Sequence, residues 1–483
     1  MRQELFATIA SITVNASSVA CPALGQATEE ALSIKATELN DSTTALDAYV
    51  QAPDDSYAWK VVAKQSLPGL NAYVIDLTSQ TWLTKDVVNR TVWKHWVTVI
   101  VPNQAKTDTA MLFIEGGSNG NAPPKQPNPL ALQVALATGS VVASVGQIPN
   151  QPLIFHDDGV ERKEDDLIGY TWDQFIKTGD ELWPARLPMT KAVVRAMDCV
   201  QELSAQDDFE AAAIKQFVVA GGSKRGWTTW TAAIVDKRVR AIAPIVIDVL
   251  NANLSMKHHY ESYGFWAPAI GDYVHHKVTH RRHHSRYEEL LQLVDPFAYR
   301  DRLTMPKCII NATGDQFFVP DSSRFYFDEL AGEKYLCYVP NGEHSLRGTN
   351  AVDTLAAFHH AVINDIKRPE FSWNFPSPNC IQVNCISDPK RVLLWQATNP
   401  DARDFRVDTI GRAYQAVEVK KGADGTWKGE VTEPEEGWKA FLVQLEFDTG
   451  GPKPMRLTTP VRIVPDVLPF AGKKAPAIPA SNN

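Results

Sequence analysis

Between about residue 72 and residue 366 the chain alternates two hydrophobic patterns. Short continuous apolar runs that stop at Gly or Pro read as strands buried on both faces. They are "AMLFIEGG" (110–117), "VVASVGQIP" (141–149), "IKQFVVAGG" (214–222), "VRAIAPIVIDVL" (239–250), "PKCIINATGD" (306–315) and "EKYLCYVPNGEH" (333–344). Between them lie stretches with helical spacing: "PLALQVALATG" (129–139), "MTKAVVRAMDCVQELSA" (189–205), "KRGWTTWTAAIVD" (224–236) and "TNAVDTLAAFHHAVINDI" (349–366). "NAYVIDLTSQTW" (71–82) and "HWVTVIVP" (95–102) read as an edge pair of strands ahead of these units. Repeated strand–helix–strand units predict a mostly parallel sheet covered by helices on both sides.

Two segments interrupt the alternation, residues 155–188 and residues 251–302. The second carries seven histidines and many aromatics. Both follow strands, where insertions over a site belong. After about residue 375 the pattern changes to period two, broken by Asp-Gly, Asn-Pro and Gly-Gly turns. That predicts an antiparallel, sandwich-like β module over residues 376–470, with a loose tail over residues 471–483.

The chain has 483 residues, enough for two domains, with 44% apolar and 22% charged residues. Its formal net charge of −8 gives no general attraction to nucleic acid or anionic lipid. No stretch approaches the roughly 20 apolar residues of a membrane span. The first 27 residues are a candidate signal peptide, a short apolar run behind Arg2 followed by small residues, and the expectation is a periplasmic or secreted protein. Without that export the chain reads as a soluble intracellular protein. Cys21 lacks the preceding leucine of a lipoprotein signal, which speaks against a lipid anchor. Residues 28–375 form the expected α/β domain. Cys380 and Cys385, in a loop-like stretch, are the local disulfide candidate in an exported chain, whereas Cys199, Cys308 and Cys337 read as buried thiols.

One corner concentrates the chemistry. In "VVAGGSKRGWTTW" a strand ends in Gly-Gly and turns at Ser223 straight into a helix. Missing side chains at Gly221 and Gly226 would let such an elbow pack closely. The helix start would then stabilise negative charge beside the hydroxyl. The second glycine comes one residue later than in the G-x-S-x-G pattern. A serine nucleophile needs a base, and the base needs an orienting acid. In an α/β-hydrolase-type sheet these follow in the order Ser, Asp, His. Asp315 ends one buried strand and His344 ends the next, on the rim where open α/β sheets bind ligands. The expected roles are Ser223 as nucleophile, His344 as base and Asp315 as orienter. The oxyanion donors expected are the amide of Lys224 and an amide of the "EGGSNG" loop, with Gly117 and Ser118 as candidates.

Lys224 and Arg225 stand at a helix start, where cations oppose the dipole. They call for a compensating anion: an oxyanion, a substrate carboxylate or the acidic loop "ERKEDD" (161–166). Arg225, Trp172 and Trp266 are the substrate-binding candidates, and Trp183 is a further aromatic that shapes the site or packs the core. His276, His280 and His284 have i, i+4 spacing, but no HExxH-type carboxylate accompanies them. They read as part of a helical cap rather than a metal site. No metal and no cofactor is expected.

The stretches "YTWDQFIKTGDELWPARLPMTKAVVRAMD", "GGSKRGWTTW", "FIEGGSN" and "NATGDQFFVPDSS" resemble the PhoPQ-activated pathogenicity-related proteins, over about residues 49–465. That resemblance implies an α/β-hydrolase-type domain with helical cap insertions, a C-terminal antiparallel β module, and export. It places Ser223, Asp315 and His344 at the family's serine-hydrolase positions. A basic residue after the elbow serine is also similar, locally, to the glucuronoyl esterases. The expected function is a serine hydrolase, esterase or peptidase, acting on a small-molecule or peptide substrate through an acyl-enzyme. The alternative is a non-catalytic binding or signalling protein on the same fold.

Overall fold

The computed structural model describes residues 43–103 and 105–473. The candidate signal peptide, Cys21 and residues 474–483 of the expected tail lie outside the described residues.

Helix α1 (Ala45–Gln51) and strands β1 (Ala58–Leu67), β2 (Leu70–Thr81) and β3 (Val92–Pro102) precede the first parallel strand, β4 (Thr109–Ile114). Helix α2 (Pro129–Thr138) and strand β5 (Val142–Val145) complete the first crossover. Helices α3 (Glu164–Thr178) and α4 (Arg186–Ser204) lead to β6 (Gln216–Gly222), α5 (Lys224–Val235) and β7 (Val239–Ile245). The histidine-rich insertion folds as α6 (Ala252–Tyr263), α7 (Gly271–His275) and α8 (Ser285–Val294). Strands β8 (Lys307–Ala312) and β9 (Lys334–Val339) precede helix α9 (Ala351–Ile363). Strands β10 (Phe371–Ser377), β11 (Cys380–Cys385) and β12 (Arg391–Asn399), with helix α10 (Val407–Ile410), open the C-terminal part. It closes with β13 (Gln415–Glu418), β14 (Trp427–Glu430), β15 (Trp438–Phe447), β16 (Met455–Thr458) and β17 (Arg462–Val464).

The main sheet runs β1-β2-β3-β5-β4-β6-β7-β8-β9 and continues through β16, β15, β12 and β13. Strands β1, β2 and β3 pair antiparallel, and β3 joins β5 antiparallel. From β5 to β9 every pairing is parallel. This is an α/β-hydrolase-type sheet. Alternation within its strands sorts side chains into two cores. Phe217, Val219, Ile242, Ile309 and Leu336 pack on the face that carries α4 and α5. Val218, Ala220, Ala243, Ile310 and Cys337 pack on the opposite face, against α2 and α9. Both faces are buried, so these strands read as unbroken apolar runs. Burying one such side chain contributes roughly 1.5–3 kcal/mol.

The C-terminal strands are antiparallel. Strands β10, β11 and β14 form a separate three-stranded sheet. The rest join the main sheet, Thr458 of β16 standing opposite Leu336 of β9. Ile381, Val383, Phe441 and Val443 share the second core with Val339 and Phe358.

The Cys380–Cys385 pairing is overturned. The stretch is strand β11, with one cysteine at each end, and both are free thiols. Five strand steps separate them by about 16 Å, more than twice the roughly 7 Å that a disulfide spans. Cys199, Cys308 and Cys337 are buried free thiols.

Candidate active site

Ser223 occupies a sharp corner between β6 and α5, at φ 57° and ψ −126°. Non-glycine residues adopt such a backbone only where the surroundings enforce it, at a cost of order 1–3 kcal/mol. Here the enforcement is visible. The Ser223 N–H donates to Ile245 O at 2.8 Å, which ties the corner to β7. A Cβ on Gly221 would lie 2.8 Å from Arg225 O, and one on Gly226 would lie 2.9 Å from Ile245 O. Both glycines are therefore required by close approach, and the late position of Gly226 is where α5 crosses β7.

Asp315 follows β8 and His344 follows β9, and the two meet. His344 Nδ1 lies 2.8 and 3.0 Å from the two carboxylate oxygens of Asp315. Asp315 also accepts from the Phe317 N–H at 2.7 Å, and the His344 N–H donates to Gln316 Oε1 at 3.0 Å. The Phe317 ring packs on the imidazole with centroids 4.2 Å apart. These contacts fix the imidazole and direct its Nδ1–H to Asp315, leaving Nε2 as an acceptor. Among the described residues no hydrogen bond joins Ser223 Oγ to His344.

The cations after Ser223 are compensated by the acidic loop. Lys224 Nζ, 6% exposed, lies 2.9 Å from Glu164 and 3.0 Å from Asp165. Arg225 makes two 2.7 Å hydrogen bonds to Glu164 and donates to Ile148 O at 2.5 Å. Burial works to raise the Glu164 pKa, but Arg225 and Lys224 outweigh it and hold the carboxyl at about 2. Glu164 also exchanges hydrogen bonds with Gln151, whose amide donates to Gly117 O at 3.1 Å. One polar chain thus runs from the glycine loop through Gln151 and Glu164 to the elbow. A Cβ on Gly116 would strike the Arg225 guanidinium at 2.6 Å. Arg225 therefore braces the glycine loop; it does not line the pocket.

A pocket of about 660 Å³, open to solvent, contains Ser223 and Lys224 in its lining. Its walls are largely apolar, with Trp172, Trp227, Met256, Phe317 and Phe318 among them. Arg186 and Arg282 also line it. Trp172 is in the lining, edge-on to Trp227 at 5.8 Å. Trp266 does not line this pocket; it stacks beside His259 and Tyr260, with the Arg282 guanidinium 5.5 Å from its ring centre. Trp183 packs in the core against Phe155 and Tyr170. Gly117, Ser118 and His344 lie outside the lining, His344 packing against Phe317 and Phe318. Gly117 adopts φ 131°, a conformation open to glycine.

The histidines do not share a helical face. Helix α7 ends at His275, Lys277 turns at φ 58°, and His280 sits in a separate 3₁₀ turn. His276 pairs with Asp166 at 2.6 Å, His258 with Asp321 at 2.9 Å, and His284 caps α8. No group of three metal-ligating side chains occurs among the described residues. Nor is any helix among them long and apolar enough to cross a membrane.

Sequence reasoning missed Asp248, which follows β7 and is 4% exposed. It accepts from Tyr326 OH at 2.7 Å and Tyr338 OH at 2.6 Å. Burial pushes its pKa to about 7, assisted by the nearby Asp315 and opposed by the two tyrosines. A carboxylate inside "VIDVL" was the available signal. Arg186, inside the buried helix α4, and Arg282, inside a run of charged residues, gave none.

The sequence model of the PhoPQ-activated pathogenicity-related proteins matches residues 46–406. The chain belongs to that family. The chain is 38% identical to autocrine proliferation repressor protein A of Dictyostelium discoideum, over 89% of its own length and 92% of that protein's. Among solved structures it is similar to acetyl xylan esterase 1 of Thermoanaerobacterium, at 14% identity and a TM-score of 0.45, covering 65% of this chain and 92% of that one. It is also similar to a glucuronoyl esterase of Solibacter usitatus, at 14% identity and a TM-score of 0.39, covering 66% and 90%.

Proposed function

We propose that the protein is a serine hydrolase that cleaves an ester or amide through Ser223, His344 and Asp315. The observation that carries this reading is the Asp315–His344 pair at 2.8 Å on the same sheet rim as a serine held at φ 57°. His344 Nε2 takes the Ser223 proton as Oγ attacks the substrate carbonyl, and Asp315 stabilises the resulting imidazolium. The Lys224 amide, at the start of α5, receives the developing oxyanion together with an N–H of the Gly117–Ser118 loop. His344 then protonates the leaving group, and water releases the acyl-enzyme. The imidazole closes on Ser223 Oγ when substrate is bound, since such bonds are often long without ligand. We place the protein in the periplasm or outside the cell, in keeping with its family.

The test is reaction with a fluorophosphonate probe. Labelling of the wild type and none of Ser223→Ala is expected; equal labelling of both, or of neither, would reject the catalytic role. The absence of a Ser223–His344 hydrogen bond, and the name of the Dictyostelium relative, favour a second reading as a non-catalytic signalling protein. In that case Ser223→Ala retains full signalling activity.

A further inference from the structure

Most buried or half-buried arginines of this protein face a carboxylate: Arg225 faces Glu164, Arg238 faces Asp236, Arg403 faces Asp321 and Arg406 faces Asp404. The two that line the pocket beside Ser223 are matched less closely: Asp165 acts on Arg186, and Glu261 on Arg282, only from beyond salt-bridge range. Among the described residues neither Arg186 nor Arg282 forms a salt bridge. Arg186 is 3% exposed. It donates to Lys224 O at 2.8 Å, lies over the Trp227 ring, and its Nε is buried without a partner. Arg282 donates to Asn253 O at 3.4 Å, its one hydrogen bond among the described residues, and its Nε is likewise buried without a partner. Burial lowers both guanidinium pKa values, yet an arginine stays charged in a protein.

The pocket's acidic side is already committed. Asp165, which also lines it, is held by Lys224 Nζ at 3.0 Å and Tyr273 OH at 3.0 Å. The lining therefore carries three cations against one carboxylate, in a chain whose net charge is −8. The two buried Nε–H groups left without a partner cost free energy unless a ligand satisfies them. An arginine fork matches a planar carboxylate.

We propose that the substrate cleaved at Ser223 carries a carboxylate on an apolar arm, and that Arg282 binds this carboxylate with Arg186 behind it. The proposal rests on the hydrolase reading for the cleavage but not for the binding. Trp266 then holds the Arg282 guanidinium in place from outside the pocket. Arg282 is a specificity residue, and an uncharged arm leaves its buried Nε–H unpaired.

Two measurements separate the two claims. Calorimetric titration of Ser223→Ala with 5-phenylvalerate and with 5-phenylvaleramide reads binding alone. The carboxylate is expected to bind at least about tenfold more tightly, the usual worth of a hydrogen bond to a charged group. Adding Arg282→Met removes that preference, and Arg282→Lys restores part of it, each folded protein being verified by its melting transition. If Arg282→Met does not fold, Arg282→Gln reads the same ratio. Equal binding of the two probes, binding of neither, or a preference that survives loss of the guanidinium overturns the proposal. Hydrolysis of 4-nitrophenyl hydrogen glutarate against 4-nitrophenyl valerate then reads the ratio of kcat/KM in the active protein. Turnover of both esters with no preference for the glutarate overturns the carboxylate claim and leaves the hydrolase standing. Carboxylate-selective binding with no turnover does the reverse.

Discussion

Arg225 grips Glu164 through two parallel 2.7 Å hydrogen bonds, and that pair joins three segments far apart in the chain. Glu164 opens α3, Arg225 belongs to the elbow, and Gln151 links both to Gly117. The pair therefore positions the two sets of amides proposed to receive the oxyanion. Glu164→Gln keeps the shape but leaves Arg225 without its carboxylate and Lys224 with Asp165 alone. The expected loss is about 1–2 kcal/mol of stability, below the cost of breaking a fully buried pair because Glu164 is part-exposed. Fluorophosphonate labelling should slow at least about tenfold if the glycine loop shifts. Unchanged labelling with a lowered melting temperature would make the pair merely structural.

That pair also sets an acid limit. The Glu164 carboxyl titrates at about 2 in the folded chain, below its ordinary 4.5. A lowered carboxyl pKa stabilises the fold above the unfolded value, and the contribution fades as pH falls from about 4.5 toward 2. Between pH 4 and pH 2 the wild type should lose more of its melting temperature than Glu164→Gln does. Parallel curves for the two proteins would contradict this.

The elbow strain gives a prediction of opposite sign for stability and activity. Ser223 sits where glycine is favoured, so Ser223→Gly should raise stability by about 1 kcal/mol while abolishing probe labelling. Gly226→Ala should do the reverse to stability: its Cβ would lie 2.9 Å from Ile245 O and Ile247 Cγ2. A loss of about 1–3 kcal/mol in urea titration is expected. A neutral Gly226→Ala would mean that α5 shifts freely off β7.

How much of this was legible in the sequence follows from what each residue touches. The strands, the elbow glycines and the nearness of Asp315 to His344 follow from apolar runs that end on one rim. Each run is local, and the parallel sheet aligns the ends. The C-terminal strands were legible as antiparallel, but their continuation into the main sheet rests on Thr458 meeting Leu336, a pairing that period-two alternation does not encode. Between Cys380 and Cys385 the residues Ile381, Gln382, Val383 and Asn384 alternate apolar and polar as a strand does, and an extended strand holds the two thiols apart. Trp266 read as a pocket wall because an aromatic announces burial without saying against what. Arg282 sits in "HRRHH", a run that looks like a solvated face until helices α6 and α8 fold over it.

Asp248 offers a measurement on the alkaline side. Its ordinary carboxyl value is 3.8, and burial raises it to about 7 in the fold. Between these values the folded chain binds more protons than the unfolded one, so stability falls as pH rises from about 4 to 7. Asp248→Asn removes the titration while keeping a side chain that can bond to Tyr326 and Tyr338, since each tyrosine hydroxyl donates or accepts. The melting temperature of the wild type, followed from pH 5 to pH 8, should decline more than that of Asp248→Asn. Above pH 7 the variant should equal or exceed the wild type, because the charged carboxylate, close to Asp315, no longer has to be buried. A variant that is less stable at pH 8 by the same margin as at pH 5 would show that Asp248 stays neutral throughout, with its hydrogen bonds alone deciding its contribution.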